Sequence, residues 1–402
     1  MAFPTRYVKL DEARLLHGDR VDRFGEFLLV GDPLADAAVA ALAPLPRAAR
    51  DALVDRCLSL GIAHVPEAPP ELARLFESLE HVPLWVDFDR VDRGGRAFLR
   101  SGILGGIVLG AYSLVLGYCS PAGNKPLALS GRFETDGPRR LAETSRFVQA
   151  ISTPGGMRRG ADGFRAMVKV RLMHAAVRRW LEHSARWRGS DWGAPINQVD
   201  MAGTSLLFSL LVLDGLDKLG YRTTRSERED LLHLWRYGAH LLGVDPELHT
   251  VSEAEARRLW DLLTLTQGYP DDDSVTLARS LLEGPVRTAQ SAEARERARR
   301  VRAVGYAVSR HLLGEDYADR LQYPKTPLTF AVKAFRAVNA RASTWLRLLP
   351  NAPFASTNAG VRYWDFVVRT SLAESPATFA MPDHERTGGP HGNPLVQGQA
   401  HG

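Results

Sequence analysis

Val168-Lys169-Val170-Arg171-Leu172-Met173-His174-Ala175-Ala176-Val177-Arg178-Arg179 is the stretch on which the reading of this chain turns. It sits inside a longer run, 164–181, whose apolar residues recur at three- and four-residue spacing, the period of an amphipathic helix. On such a helix Arg171 (i−3) and Arg178 (i+4) share a face with His174, within about 60° of arc. Val170 and Val177 flank that face on the other side. Two guanidinium groups beside a histidine disfavour its imidazolium, and neutral imidazole is the metal-binding form. Arginines at that range suit the two carboxylates of a heme, and the valines suit a porphyrin face. Proximal histidine ligation of heme iron is one arrangement that fits. The spacing by itself favours a plainer reading, a histidine satisfied at an interface between helices.

Outward from this stretch the same periodicity continues. It predicts helices over 34–43, 49–60, 72–79, 141–151, 201–219, 231–242, 254–265, 275–282 and 328–349. Alternating stretches of β type are few and short, so the chain reads as all-α. Asp136 and Ser152–Pro154 are start and stop signals around one helix, and Ser252 with Glu255 spells a capping box. Gly102–Tyr118 carries no charge, yet it falls short of the roughly 20 apolar residues a membrane span needs. It is read as a buried core helix, with no integral span expected. Gly102, Gly106 and Gly110 recur every fourth residue, forming a face that another helix or a flat cofactor can approach.

The 402 residues are 45% hydrophobic and 24% charged, an ordinary globular composition. The net charge of +5 is spread among acidic residues, with no basic block interleaved with aromatics, so nucleic acid is not implied. Cys57 and Cys119 form neither a metal spacing nor a disulfide framework. The first residues show no basic-then-apolar signal, which gives the expectation of a cytoplasmic protein.

A second cluster precedes the histidine: Arg139-Arg140-Leu141-Ala142-Glu143-Thr144-Ser145-Arg146-Phe147. Arg140 and Thr144 share a helix face, with Glu143 beside them. An arginine, a hydroxyl and a carboxylate together can bind a polar diatomic, position a proton or act as a base. The same residues also describe an exposed, salt-bridged helix. A third segment, Ile196-Asn197-Gln198-Val199-Asp200-Met201-Ala202-Gly203-Thr204, offers Asn197 or Asp200 as a helix cap. Zinc-protease, serine-hydrolase and phosphate-loop signatures are missing, and Gly105-Gly106 has no strand before it. His233 and His240, seven apart on one helix with Trp235 and Tyr237, read as packing residues.

Taken in order, several of these segments resemble the bacterial latex-clearing proteins (rubber oxygenases) and the wider MpaB-type oxygenase family. They are Gly31-Asp32-Pro33-Leu34-Ala35-Asp36; Glu143–Phe147; Thr153-Pro154-Gly155-Gly156 leading into Val170–Arg178; and Ile196–Gln198 with Asp200–Thr204. Leu241–Leu248 is a weaker match. The resemblance implies a globin-like helical core holding one heme b, with His174 as proximal ligand and Arg171 and Arg178 in its surroundings. It places Arg140 and Thr144 on the distal or near-heme side. In that family dioxygen is used to cleave a carbon–carbon double bond of polyisoprene to carbonyl products.

Three departures accompany the resemblance. Rubber oxygenases carry a lysine just before the matching threonine, where this chain has Glu143. Their functional glutamate falls, by equal spacing, near Asn124, where no acidic residue stands. No export signal is visible. The resulting expectation is a single helical heme-binding oxygenase domain over residues 1–381, with additional N- and C-terminal helices, and a disordered tail over 382–402. Its dioxygenase chemistry would act on an unsaturated hydrophobic substrate, polyisoprenoid or small, with Arg140, Glu143 and Thr144 catalytic. Alternatives are a heme oxidase of a natural-product intermediate and a non-catalytic heme-binding sensor or carrier.

Overall fold

The computed structural model describes residues 3–130, 133–348 and 352–371, with the side chains of 133–140, 347–348, 352–354 and 370–371 outside the description. The expected tail over 382–402 lies outside the described residues. Among them there are helices and no strands. The N-terminal part carries α1 (Leu10–His17), α2 (Arg20–Glu26), α3 (Pro33–Leu42), α4 (Arg47–Leu60) and α5 (Pro70–Glu80). The middle carries α6 (Phe88–Arg100), α7 (Gly102–Val108), α8 (Leu114–Tyr118), α9 (Lys125–Leu129), α10 (Phe133–Ser152) and α11 (Asp162–Glu182). Next come α12 (Gly189–Trp192), α13 (Gln198–Phe208), α14 (Leu210–Lys218), α15 (Arg225–Leu241), α16 (Glu253–Leu265) and α17 (Asp272–Thr288). The chain continues through α18 (Ala292–Leu313), α19 (Glu315–Arg320), α20 (Leu328–Leu348) and α21 (Ala352–Ser371).

Local chemistry explains the key boundaries. Pro33 fills the first position of α3, and the Asp32 carboxylate accepts from the Ala35 amide at 3.2 Å. Asn197, not Asp200, caps α13, its side chain accepting from the Asp200 amide at 3.0 Å. Ser252 caps α16, but Glu255 reaches the Val251 amide at 2.9 Å, so the expected capping box closes one residue early. Asp136 is not a start signal: α10 already begins at Phe133.

The uncharged stretch Gly102–Tyr118 is a core segment, as the sequence predicts. A bend of 88° separates it from α6, made at Gly102 with φ +52°. Residues Leu109–Ser113 between α7 and α8 form a π-helical turn. The glycine face divides its work. A side chain at Gly102 or Gly106 would run toward Gly360 or Tyr363 of α21, whereas a Cβ at Gly110 would meet no atom within 4 Å. Among the described residues one further stretch is long and apolar enough to cross a bilayer, Gln198–Lys218; it has 83% of its apolar window buried, and it breaks at Ser209.

α10 runs between α6, α11, α17 and α21. Its Phe147 packs edgewise on Phe208, which stacks on Trp235 at 4.8 Å, tying α10 to α13 and α15. The largest apolar core reaches from Ala35 of α3 to Trp364 of α21 and takes in the buried face of α11.

Candidate functional site

α11 is held from behind by two buried arginines. Arg171 donates from Nε to Asp32 Oδ2 at 2.6 Å and from Nη2 to Oδ1 at 2.9 Å, with Nη1 turned to the Leu241 carbonyl at 3.4 Å. One helical turn beyond His174, Arg178 donates to Asp36 at 2.6 Å and to the carbonyls of Pro195 and Ile196 at 3.1 and 3.0 Å. Arg171 and Arg178, expected in the surroundings of a cofactor, are 5% and 1% exposed, and each of their guanidinium nitrogens has an acceptor on the protein. They are positioning residues that fix the rotation of the helix bearing His174.

The clamp draws together segments far apart in the chain. Gln198 donates to the carbonyls of Gly31 at 2.6 Å and Gly243 at 3.0 Å and accepts from the Asp245 amide at 2.7 Å. Ile196, whose carbonyl Arg178 holds, has φ +49°, a conformation β-branched residues rarely adopt and one that costs on the order of 1–3 kcal/mol. Gly243 combines φ +80° with a Cβ position only 2.3 Å from Asp32 Oδ2 and 2.7 Å from the Arg171 guanidinium. Gly243→Ala is expected to lower stability by at least about 2 kcal/mol, from the left-handed backbone plus displacement of the ion pair. Chemical denaturation checks this; a loss under 1 kcal/mol would mean that the clamp is not rigid.

His174 stands between the two clamped arginines. Burial pushes its pKa down to about 4, helped by the Arg178 charge and opposed by Asp32. The ring is neutral at pH 7. Its Nδ1 is buried and has no hydrogen-bond partner, while the residue keeps some accessible surface. A buried imidazole nitrogen without a partner costs about 1–3 kcal/mol, so it marks a position where something else is meant to bind or to be bonded. By contrast His233 accepts from the Asp87 amide at 3.1 Å and meets Trp85 edge-on, which makes it the packing residue the sequence predicts.

α10 lies against α11 as an antiparallel hairpin. The contact point is Gly163, whose Cβ position falls 2.8 Å from the Ile151 Cα. Glu143 and Thr144 are both partly buried. The side chain of Arg140 lies outside the described residues. Asn124, where the resemblance would have a glutamate, is buried; its Nδ2 donates to the Tyr118 carbonyl at 2.9 Å and to Ser274 at 3.0 Å, and its Oδ1 has no partner. No carboxyl group stands at that position. Its neighbour Lys125 is paired with Asp271 and Asp273.

Residues 96–345 match the family described as ER-bound oxygenase mpaB/B'/Rubber oxygenase, catalytic domain. The chain belongs to this oxygenase family. It is 27% identical over 266 residues to the rubber oxygenase of Streptomyces sp. (strain K30), which takes in 65% of this chain. The match spans 62% of that relative's length. The fold matches a solved structure of latex clearing protein LCP in the closed state with a TM-score of 0.67 at 23% identity, covering 85% of this chain and 91% of that one.

Within the matched oxygenase region lie His174, Arg171, Arg178, Gln198 and Gly243, but the clamp's carboxylates, Asp32 and Asp36, come from before it. The sequence reading quoted Gly31–Asp36 without giving it a role. The signal was available: two arginines on the buried face of an apolar helix require carboxylates or carbonyls, and an Asp-Pro-x-x-Asp helix start supplies two carboxylates on adjacent turns.

Proposed function

We propose that this chain is a heme b-dependent dioxygenase that uses O2 to cleave a carbon–carbon double bond of an unsaturated hydrophobic substrate, a polyisoprene or a smaller isoprenoid. The observation that carries the reading is the neutral, partner-less imidazole of His174 on a rigidly clamped core helix. A porphyrin brings its own ring of nitrogen ligands and asks the protein for one neutral donor, so the donor set fits the group. When bound, the cofactor supplies the iron-centred redox and oxygen chemistry.

The chain's own residues have distinct tasks in this proposal. His174 offers a nitrogen lone pair without competing for a proton at neutral pH. Arg171 and Arg178 hold α11 in rotation and, through Arg178, keep His174 neutral. On α10, the Thr144 hydroxyl can donate or accept a hydrogen bond, and the Glu143 carboxylate can accept a proton. The Arg140 guanidinium would stabilise developing negative charge. The apolar segments around Gly110 exclude water and admit a flat or hydrocarbon group.

The purified holoprotein is expected to show a Soret band that His174→Ala weakens and shifts. With squalene or dispersed polyisoprene it should consume O2 and release carbonyl products. Thr144→Ala and Glu143→Gln should each alter O2 binding or turnover. A Soret band indifferent to His174→Ala would remove the ligand assignment. Heme binding without substrate-dependent O2 uptake would leave a carrier or sensor instead of an enzyme.

A further inference from the structure

α20 (Leu328–Leu348) packs against α18, α21 and the turn after α14. Asn339 donates to the Leu219 carbonyl at 2.9 Å, and Ser343 accepts from the Arg222 amide at 2.9 Å. The backbone of the helix approaches Gly220 so closely that a Cβ there would fall 2.3 Å from the Arg336 carbonyl. Val332 is buried beside these contacts. At about 100° per residue, Val332, Asn339 and Ser343 occupy a sector of about 40°.

The far side of the same helix is apolar and uncovered. Phe330 is 74% exposed, Trp345 71%, Val338 65% and Phe335 46%. These four, with alanines between them, span about 140° of the circumference, away from the edge that packs. A soluble surface seldom gathers such side chains on one face without a purpose. Lys333 lies just outside the Phe330 side of the sector, with its Nζ 5.6 Å from the Phe330 ring centroid; Arg341 falls within the sector beside Phe330, and Arg336 lies between Lys333 and the packing edge. From residue 320 to residue 364 there is no Asp or Glu at all, while Lys and Arg recur throughout.

We propose that this face of α20 docks on an anionic lipid bilayer, with the helix lying in the interface plane. Aromatic and aliphatic side chains on one sector, basic residues along one side of it and no acidic residue nearby are the features of an interfacial amphipathic helix. Long Lys and Arg side chains along that side can reach up to lipid phosphates while their stems lie along the apolar layer. A second copy of the chain fits less well. Face to face, two such helices would bring Lys333, Arg336 and Arg341 against their own kind, with no carboxylate on either helix to offset them.

The test is cosedimentation of the full chain with vesicles of phosphatidylcholine containing about 30% phosphatidylglycerol, against phosphatidylcholine alone. Binding should fall at least about tenfold without the anionic lipid, and again when salt rises from about 0.1 to about 0.5 M. Val338→Asp and Trp345→Glu alter solvent-facing positions, so thermal melting should stay near wild type while vesicle binding drops by about tenfold or more. Lys333→Glu with Arg341→Glu should abolish the preference for anionic lipid. The proposal is overturned if the wild-type protein ignores these vesicles, or if it binds them as well after Val338→Asp and Trp345→Glu. It is also overturned if sedimentation in the absence of lipid shows a dimer that Val338→Asp dissociates.

Discussion

Replacing Asp32 by alanine is expected to cost about 3–5 kcal/mol of folding stability, the range found when one partner of a buried ion pair is removed and the other charge is left behind. Asp32 and Arg171 are 3% and 5% exposed, and two bonds of 2.6 and 2.9 Å join them. The aspartate also caps α3, which alone is worth about 1 kcal/mol. A double-mutant cycle separates these contributions. Asp32→Asn keeps a capping oxygen while discarding the charge, and Arg171→Met fills the same space without a charge. Each single change should be severe, and the double Asp32→Asn/Arg171→Met should cost less than the sum, because no unpaired charge is left buried. Urea unfolding midpoints with unchanged slopes give the numbers. Additive costs would mean that the two groups are hydrated separately and that α11 is held by something else. The consequence for function follows from the same geometry: His174 is one turn from Arg171, so loosening this pair frees the rotation of the ring before it unfolds the domain.

Legibility in the sequence depended on whether a residue's partner was local. His174 with Arg171 and Arg178 could be placed on one face because helical spacing is local, and α11 runs as predicted. What those arginines touch is set by Asp32 and Asp36, more than 130 residues away, and no periodicity reports that. Helical spacing shows that the two arginines share a face with His174, while their carboxylate partners become visible only in the tertiary structure. The all-α class was readable from the repeated apolar spacing. Individual helices were lost where function or packing overrode pattern. In α6 the centre is Gly94-Gly95, which lets Asp230 of α15 and Ser152 of α10 approach to distances no side chain would permit; the two glycines interrupt the stripe of Phe88, Val91, Phe98 and Leu99 with residues of low helix propensity. α18 was hidden by its run of charged residues, which face solvent on its first turns. α20, in turn, is predicted as a helix by its apolar period, which assigns its stripe to no partner. Its apolar stripe is real but points outward, and sequence alone cannot tell which side of a stripe the protein occupies.

The segments that carry the family resemblance are for the most part not the reacting groups. Gly31–Asp36, Ile196–Gln198 and Leu241–Asp245 meet behind α11 and act on His174 only by holding its helix. This arrangement allows the opposite side to vary. Glu143 and Asn124, the two positions where this chain departs from the rubber-oxygenase pattern, lie on α10 and at the start of α9, outside the clamp. Changes there alter local charge while leaving the hydrogen bonds of the clamp in place.

The same clamp makes a pH-dependent prediction for the protein without cofactor. The pKa of His174 is pushed down to about 4 in the folded state, from an ordinary value of 6.5. Above pH 6.5 both folded and unfolded chains carry the neutral ring, and titration contributes nothing. Between pH 6.5 and 4 the unfolded chain binds a proton that the folded chain refuses, so stability falls as pH falls. Below 4 the folded state accepts the proton too, and the loss levels off. At about 1.4 kcal/mol per pH unit, this one group removes at most about 3 kcal/mol across that window. His249, also driven to about 4 by burial, adds a parallel loss. His174→Phe abolishes the first contribution and deletes the orphaned Nδ1. The variant should therefore be at least as stable as the wild type at pH 7 and gain on it steadily down to pH 4.5. His249→Phe should show a similar gain. Denaturant midpoints measured at half-unit pH steps distinguish the cases. Superimposable pH profiles for wild type and His174→Phe would show that the ring is solvated in the folded state, and the argument for a neutral, ligand-ready imidazole would go with it. Only the neutral ring can coordinate iron, so the proposed ligation by His174 predicts that added heme is released along the same acid limb, displaced to lower pH by its affinity.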